Sequence, residues 1–245
     1  MKLIKVMIVD DNPQHLQSLI DKVNRLPNYT IIATAKDGIE VLDYIRHKIV
    51  LPDIILLDVE MPLYDGVSTM DFINLFYTEI KVIGISTHFE KPVIDSMMAC
   101  GALGFLNKPN IVTTQHLPYN AVLDICGFAK TALKDALEAV INNQPFVDLR
   151  LRYNVQERET LLEERIYKKE KFYSKYYVTT REKELISLAH PSIKNPIIAS
   201  LLNISERTIE NQYSTLAKKF DVPNGKVGVS AFCYRWGINK YAQLQ

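Results

Sequence analysis

The sequence predicts two architectures in one chain: a doubly wound, five-stranded parallel α/β sheet, then an all-α segment of short helices. Three observations carry this. Residues 1–109 alternate short apolar runs with amphipathic stretches, the pattern of repeated strand–helix–strand units. The apolar runs lack polar alternation, as strands do when helices cover both faces of their sheet. From residue 178 onward the apolar spacing is helical and broken by short turns. The chain has 245 residues, 47% hydrophobic and 23% charged, an ordinary globular balance for one or two domains.

The elements follow in order. "LIKVMIV" (3–9) is apolar and β-branched, a first strand. "PQHLQSLIDKVNRL" (13–26) places Leu16, Leu19, Ile20 and Val23 at helical spacing. "TIIATA" (30–35) is a strand, and "DGIEVLDYIRH" (37–47) a helix with Ile39, Leu42 and Ile45 on one face. "DIILLDV" (53–59) is the third strand, and "DGVSTMDFINLFY" (65–77) the next helix. "KVIGIS" (81–86) is a strand; "KPVIDSMMACG" (91–101) is a helix stopped by glycine. "ALGFLN" (102–107) is the fifth strand, and "TALKDALEAVINNQPF" (131–146) a further amphipathic helix. Residues 110–129 between them fit no simple period and form a long insertion.

Residues 147–177 read as a charged helical linker. Val155, Leu162, Ile166, Tyr173 and Tyr176 fall near a seven-residue rhythm that Glu159 and Lys169 interrupt. A solvated connecting helix and a short dimer-forming coiled coil both fit that pattern. Residues 178–245 form the second domain. Thr179 precedes Glu182 by three residues, a capping box opening "TTREKELISLA". Pro196 stands where a first helical turn tolerates it. Ser205 caps "SERTIENQYSTLAKKF", and "KVGVSAFCYRWG" is the last helix. Two short helices joined by the tight "LNIS" turn read as a helix-turn-helix.

Net charge is +1, so any nucleic-acid contact must come from a local patch. Cys100, Cys126 and Cys233 have no metal-like spacing and read as free thiols of a reducing compartment. No apolar stretch approaches the roughly 20 residues of a membrane span. The first ten residues run into acids with no cleavage-site pattern, so they read as a strand and not a signal peptide. The expected location is the cytoplasm.

The chemistry gathers at the carboxyl ends of the predicted strands. The first ends in Asp10 and Asp11, the third in Asp58, the fourth in Ser86 and Thr87, and the fifth runs into Lys108 and Pro109. In a doubly wound sheet these ends lie along one edge, where ligands bind. Taken alone, Asp58 is either an aspartate emerging into water at a strand end or one held there for chemistry. Three convergent carboxylates repel unless a cation neutralises them, and an oxygen-only set suits Mg²⁺. A hydroxyl and an ammonium complete a site able to hold a phosphoryl group on Asp58.

The pieces "VDDN", "PDIILLDVEMPLYDG", "GIST" and "GFLNKP" make residues 1–146 resemble the receiver domain of two-component response regulators, a flavodoxin-like fold. The resemblance implies that Asp58 accepts phosphate from a sensor histidine kinase or a small phosphodonor. It implies Asp11 as a direct Mg²⁺ ligand, Asp10 as an outer one, and the main-chain carbonyl of Glu60 as another, beside Asp58. It implies Ser86 as switch hydroxyl, Phe105 as switch aromatic, Lys108 as the salt-bridging cation, and a cis Lys108–Pro109 bond. The 110–129 insertion departs from the family pattern; shielding the acyl phosphate and reshaping a dimerisation surface are both open to it.

"TTREKEL" and "NPIIASLLNISERTIENQYSTLAKKFDV" resemble the LuxR-type (NarL/FixJ class) DNA-binding domain. The resemblance implies a recognition helix over about 206–220. There Glu210, Asn211 and Ser214 face bases, and Thr208, Lys218 and Lys219 hold the DNA backbone. Glu210 stands where the family usually has a basic residue; it could accept from a cytosine amino group. The expected function is a phosphorylation-controlled, double-stranded-DNA-binding transcription regulator, not an enzyme, that forms a homodimer when phosphorylated. Two alternatives stand beside it. One is a signalling adaptor without DNA binding. The other is an aspartyl-phosphate phosphohydrolase, which usually carries a second aspartate where this chain has Glu60.

Overall fold

The computed structural model describes residues 3–48, 50–88, 90–108 and 132–240. The 110–129 insertion, the Lys108–Pro109 bond and Cys126 lie outside the described residues. The first part alternates strictly: β1 (Ile4–Val9), α1 (Pro13–Val23), β2 (Tyr29–Ala35), α2 (Gly38–His47), β3 (Ile54–Asp58), α3 (Gly66–Phe76), β4 (Lys81–Ser86), α4 (Lys91–Ala99) and β5 (Gly104–Asn107). A helix at 132–141, here α5, follows. With a last short strand, β6 (Phe146–Val147), the sheet is parallel with order β2-β1-β3-β4-β5-β6. The five-strand expectation is corrected by one: Phe146–Val147 forms β6 against β5, Gly104 opposite Phe146. Phe146 was expected at the end of the preceding helix and Val147 at the start of the linker. Asn143 takes a left-handed conformation (φ 59°) that ends the helical run first.

Successive strand residues face opposite sides, so each strand feeds two cores. Val6, Ile8, Ile54, Leu56, Ile83, Ile85 and Leu106 pack with Leu19 and Val23 of α1 and Leu133 and Leu137 of α5. Met7, Val9, Ile55, Leu57 and Phe105 face α2, α3 and α4 through Leu42, Val67, Met70 and Met97. Both faces are covered, which is why the strands show no polar alternation. The helices start where the sequence can cap them. Asn12, Asp37 and Asp65 each accept backbone N–H bonds at the first turns of α1, α2 and α3.

The helices after β6 are α6 (Glu157–Lys175), α7 (Thr180–Ser187), α8 (Asn195–Leu202), α9 (Glu206–Lys219) and α10 (Gly225–Arg235). The expected capping box is present at Thr179 and Glu182. Ser205 caps α9, Pro196 sits in the first turn of α8, and Asn203 ends α8 in a left-handed conformation.

One face of the linker helix α6 is docked within the chain, and the opposite face is exposed. At about 1.5 Å per residue its 19 residues span about 28 Å. Near its N-terminus Arg158 donates to the carbonyls of Ala102 and Gly101, and Glu157 pairs with Lys91 of α4. In its middle Arg165 and Lys169 are buried on Asp71 of α3. At its end Phe172 packs among Tyr176, Phe220, Phe232 and Trp236. Lys169, read as an interruption of the apolar rhythm, is an anchor, whereas Ile166, read as part of the rhythm, is 42% exposed. The α2–α4 core therefore runs on through α6 into the C-terminal helices as one apolar cluster. Among the described residues no helix is long and apolar enough to cross a membrane.

Candidate functional site

The strand ends converge as the topology requires. Asp10, one residue beyond β1, is held there by its N–H bond to the Ala35 carbonyl (3.1 Å). Asp58 is the last residue of β3, paired against Ile85 of β4. Asp10 and Asp58 are 1% exposed, while Asp11 is open to solvent. One carboxylate oxygen from each of the three lies within 4.8 Å of the others. Gly66 lets α3 start directly against this edge: a Cβ there would sit 2.1 Å from the Asp58 carbonyl oxygen.

Lys108, 4% exposed, brings its ammonium 2.6 Å from Asp58 Oδ2 and 3.0 Å from Asp10 Oδ2. The first contact is a hydrogen bond, and the second is an ion pair. Burial lifts the Asp58 carboxyl to about 7; Lys108 opposes the rise and Asp10 reinforces it. Burial acts against the Lys108 charge, but the two carboxylates outweigh it and raise its pKa. Three carboxylates face one ammonium, an excess of acidic oxygens over cationic partners at this edge. That set fits a hard divalent cation with oxygen ligands, and Mg²⁺ is compatible with it.

The other expected members lie at the same edge. Ser86 is fully buried; its hydroxyl accepts from the His88 N–H (2.8 Å) and donates to Glu60 Oε1 (3.4 Å). Phe105 is also fully buried, and a Cβ on Gly84 would come 3.1 Å from its ring. The Glu60 carboxylate also accepts from Thr87 (3.2 Å) and contacts the His88 imidazole. The sequence signal was there, since Glu60 stands two residues after Asp58, but nothing local tells that its side chain turns to the β4–α4 loop.

The expected DNA-contact residues share α9 but differ in their surroundings. Glu210, Asn211, Ser214 and Lys218 are exposed. The Ser214 hydroxyl donates to the Glu210 carbonyl, and the Thr208 hydroxyl pairs with that of Ser205 (2.7 Å) at the helix start. The Lys219 ammonium is turned back onto Glu182 (2.7 and 2.8 Å) and the Tyr177 carbonyl (3.0 Å).

Comparison with known proteins agrees with this geometry. Residues 6–117 match the family model described as the response regulator receiver domain. The chain is 26% identical over 229 residues to the transcriptional regulatory protein DegU of Brevibacillus brevis, covering 89% of this chain and 88% of that one. It is 25% identical over 241 residues to the transcriptional regulatory protein LnrK of Bacillus subtilis, covering 98% and 100%. Among solved structures, a LuxR-family two-component response regulator from Aurantimonas sp. shares the fold, with TM-score 0.51 and 19% identity, covering 65% of this chain and 99% of that one. The strand-end aspartates and the buried lysine all fall inside the matched receiver segment, and over most of its length the chain is similar to curated transcriptional regulatory proteins.

Proposed function

We propose that the chain is a transcription regulator whose DNA binding is controlled by phosphorylation of Asp58. The observation that carries this is the joint presence of the Asp10–Asp11–Asp58–Lys108 edge and a helix-turn-helix whose α9 face is exposed. Asp58 is the nucleophile. Its carboxylate oxygen forms a P–O bond as the P–N bond to a phosphohistidine breaks, or the P–O bond of a small phosphodonor, and the leaving group departs. Lys108 neutralises charge on the transferred group. Ser86 donates a hydrogen bond to one of its oxygens once released from Glu60. Asp10, Asp11, Asp58 and the Glu60 carbonyl would hold Mg²⁺, which supplies charge neutralisation at the phosphoryl oxygens when bound.

In this reading Asn211 and Glu210 face bases, and Lys218 and Thr208 the phosphates. Lys219 joins them only by leaving Glu182. Residues 1–146 act as the receiver, 178–245 as the DNA-binding domain, and 147–177 as the connection, with the phosphorylated form pairing on a two-half-site operator. The phosphohydrolase alternative is disfavoured by Glu60, whose carboxylate is engaged with Ser86, Thr87 and His88. The test is selection of bound sequences from random DNA with and without acetyl phosphate and Mg²⁺. The expected result is a defined half-site bound more tightly with the phosphodonor. No binding at low salt in either state would refute the DNA-binding reading and favour a signalling adaptor.

A further inference from the structure

The path from Asp58 to the recognition helix is short and fixed along its length. Beyond β3 the chain runs through Val59, Glu60 and Pro62 to Tyr64 and Asp65, and α3 begins at Gly66. The loop is pinned to the receiver by backbone bonds: Val59 N–H to the Ile85 carbonyl (3.0 Å), Gly66 N–H to the Val59 carbonyl (2.9 Å) and Gly38 N–H to the Tyr64 carbonyl (3.0 Å). A loop tied this way moves as a unit rather than flexing.

Its side chains reach the C-terminal helices. Tyr64 is 1% exposed, and its hydroxyl donates to the Ser187 carbonyl at 3.1 Å. Its ring stands edge-on to His190 at 5.5 Å. Asp65, while capping α3 through the Ser68 N–H, lies 3.6 Å from the same imidazole. Ser187 ends α7, where helix carbonyls lack intrahelical partners. Three successive carbonyls there accept side-chain donors from three different parts of the chain, Ile186 in addition to the Ala189 N–H (3.1 Å). Leu185 accepts from Tyr213 of α9 (2.8 Å), Ile186 from Asn239 (2.9 Å), and Ser187 from Tyr64. One turn of helix thus joins the loop after Asp58 to the recognition helix.

We propose that Tyr64 is a positioning residue that transmits the state of Asp58 to α9 through the last turn of α7. This rests on the reading of Asp58 as phosphoacceptor. Phosphate on Asp58 displaces the pinned loop, the Tyr64–Ser187 bond changes, and Tyr213 carries the change into α9. A phenylalanine at 64 would fill the same buried space and leave the Ser187 carbonyl without this donor. The two states can differ only by what their contacts distinguish. Removing the hydroxyl should therefore shrink the phosphorylation response by a factor of roughly 2 to 12, the range of one buried hydrogen bond.

The experiment is amide hydrogen exchange on the full chain, with and without acetyl phosphate and Mg²⁺. Intact mass reports phosphate incorporation in parallel. In the wild type the phosphodonor should alter exchange at 185–193 and 208–216, and in Asp58→Asn it should not. Tyr64→Phe should take up phosphate as the wild type does, with the response at 185–193 reduced by that factor. His190→Gln should weaken the same response from the other side of the contact, should Tyr64→Phe be poorly folded. A full wild-type response in phosphorylated Tyr64→Phe, or no response at 185–193 in phosphorylated wild type, overturns the relay. A wild type that takes no phosphate removes the Asp58 reading and the relay with it. Intact exchange coupling without DNA binding counts against the DNA-binding reading alone.

Discussion

Replacing Asp71 by Asn should release the receiver from the C-terminal helices. Asp71 is 5% exposed on α3. Its Oδ1 accepts from Arg165 Nε at 3.0 Å and from Lys169 Nζ at 2.7 Å. Arg165 also donates to the carbonyls of Gly237 (3.1 Å) and Ile238 (2.9 Å), tying the chain's last described turn to the same point. Burial works against the Asp71 charge, but Lys169 and Arg165 outweigh it and hold the carboxyl below its usual pKa. One carboxylate serves two cations, so an amide leaves two buried positive charges without a counterion. Breaking a buried pair from one side costs roughly 3–5 kcal/mol. Asn keeps one acceptor oxygen, so the lower end applies, about 3 kcal/mol, or on the order of a hundredfold in the docking equilibrium. Small-angle scattering should show a larger radius for Asp71→Asn. Protease should cut faster near Tyr177, which is 86% exposed just after α6. A triple Asp71→Leu, Arg165→Met, Lys169→Leu variant should open less than the single one, because an apolar set of similar volume needs no counterions even though the Gly237 and Ile238 carbonyls lose their Arg165 donor. An unchanged radius and protease resistance in Asp71→Asn would refute the reasoning. So would a triple variant that opens as far as the single one.

Acetyl phosphate with Mg²⁺ should add one phosphate to the wild type and none to Asp58→Asn by intact mass; equal labelling would remove Asp58 as acceptor. Titration should show a Mg²⁺ site that Asp11→Ala weakens by about tenfold or more, in line with loss of one ligand. Without metal, burial lifts Asp58 from 3.8 to about 7, so the folded chain binds an extra proton between those values. This contribution to stability is present at low pH and is lost as pH rises through about 7, a slope that Asp58→Asn should flatten in melting curves. Lys218→Ala should weaken binding to all DNA sequences and reduce the salt slope by about 1. Lys219→Ala should instead cost up to about 1 kcal/mol of stability by freeing Glu182, measured by chemical denaturation.

The five strands in chain order and the composition of the carboxylate edge were legible in the sequence because each depends on local signals. "IILLD", set between helical stretches, reads as a buried strand ending in a carboxylate, and parallel alternation with helices sends every such end to one edge. Thr179–Glu182 and Ser205 announced their helices because a cap bonds to its own first turn. What only the tertiary structure decided involves partners far apart in the chain. Phe146 and Val147 became a sixth strand because the edge of β5 was available to them, which no period in the sequence records. Lys169 broke the apolar rhythm of α6 because its partner is Asp71, 98 residues earlier, and a charge is buried only where a counter-charge meets it. Tyr64 looks like one more apolar residue of its loop until Ser187, 123 residues on, supplies the acceptor for its hydroxyl. Lys219 sits beside Lys218 in the sequence, yet only folding turned it onto Glu182. Periodicity says which face of an element is buried; it is silent on what that face meets, and for polar groups that meeting sets both the energy and the role.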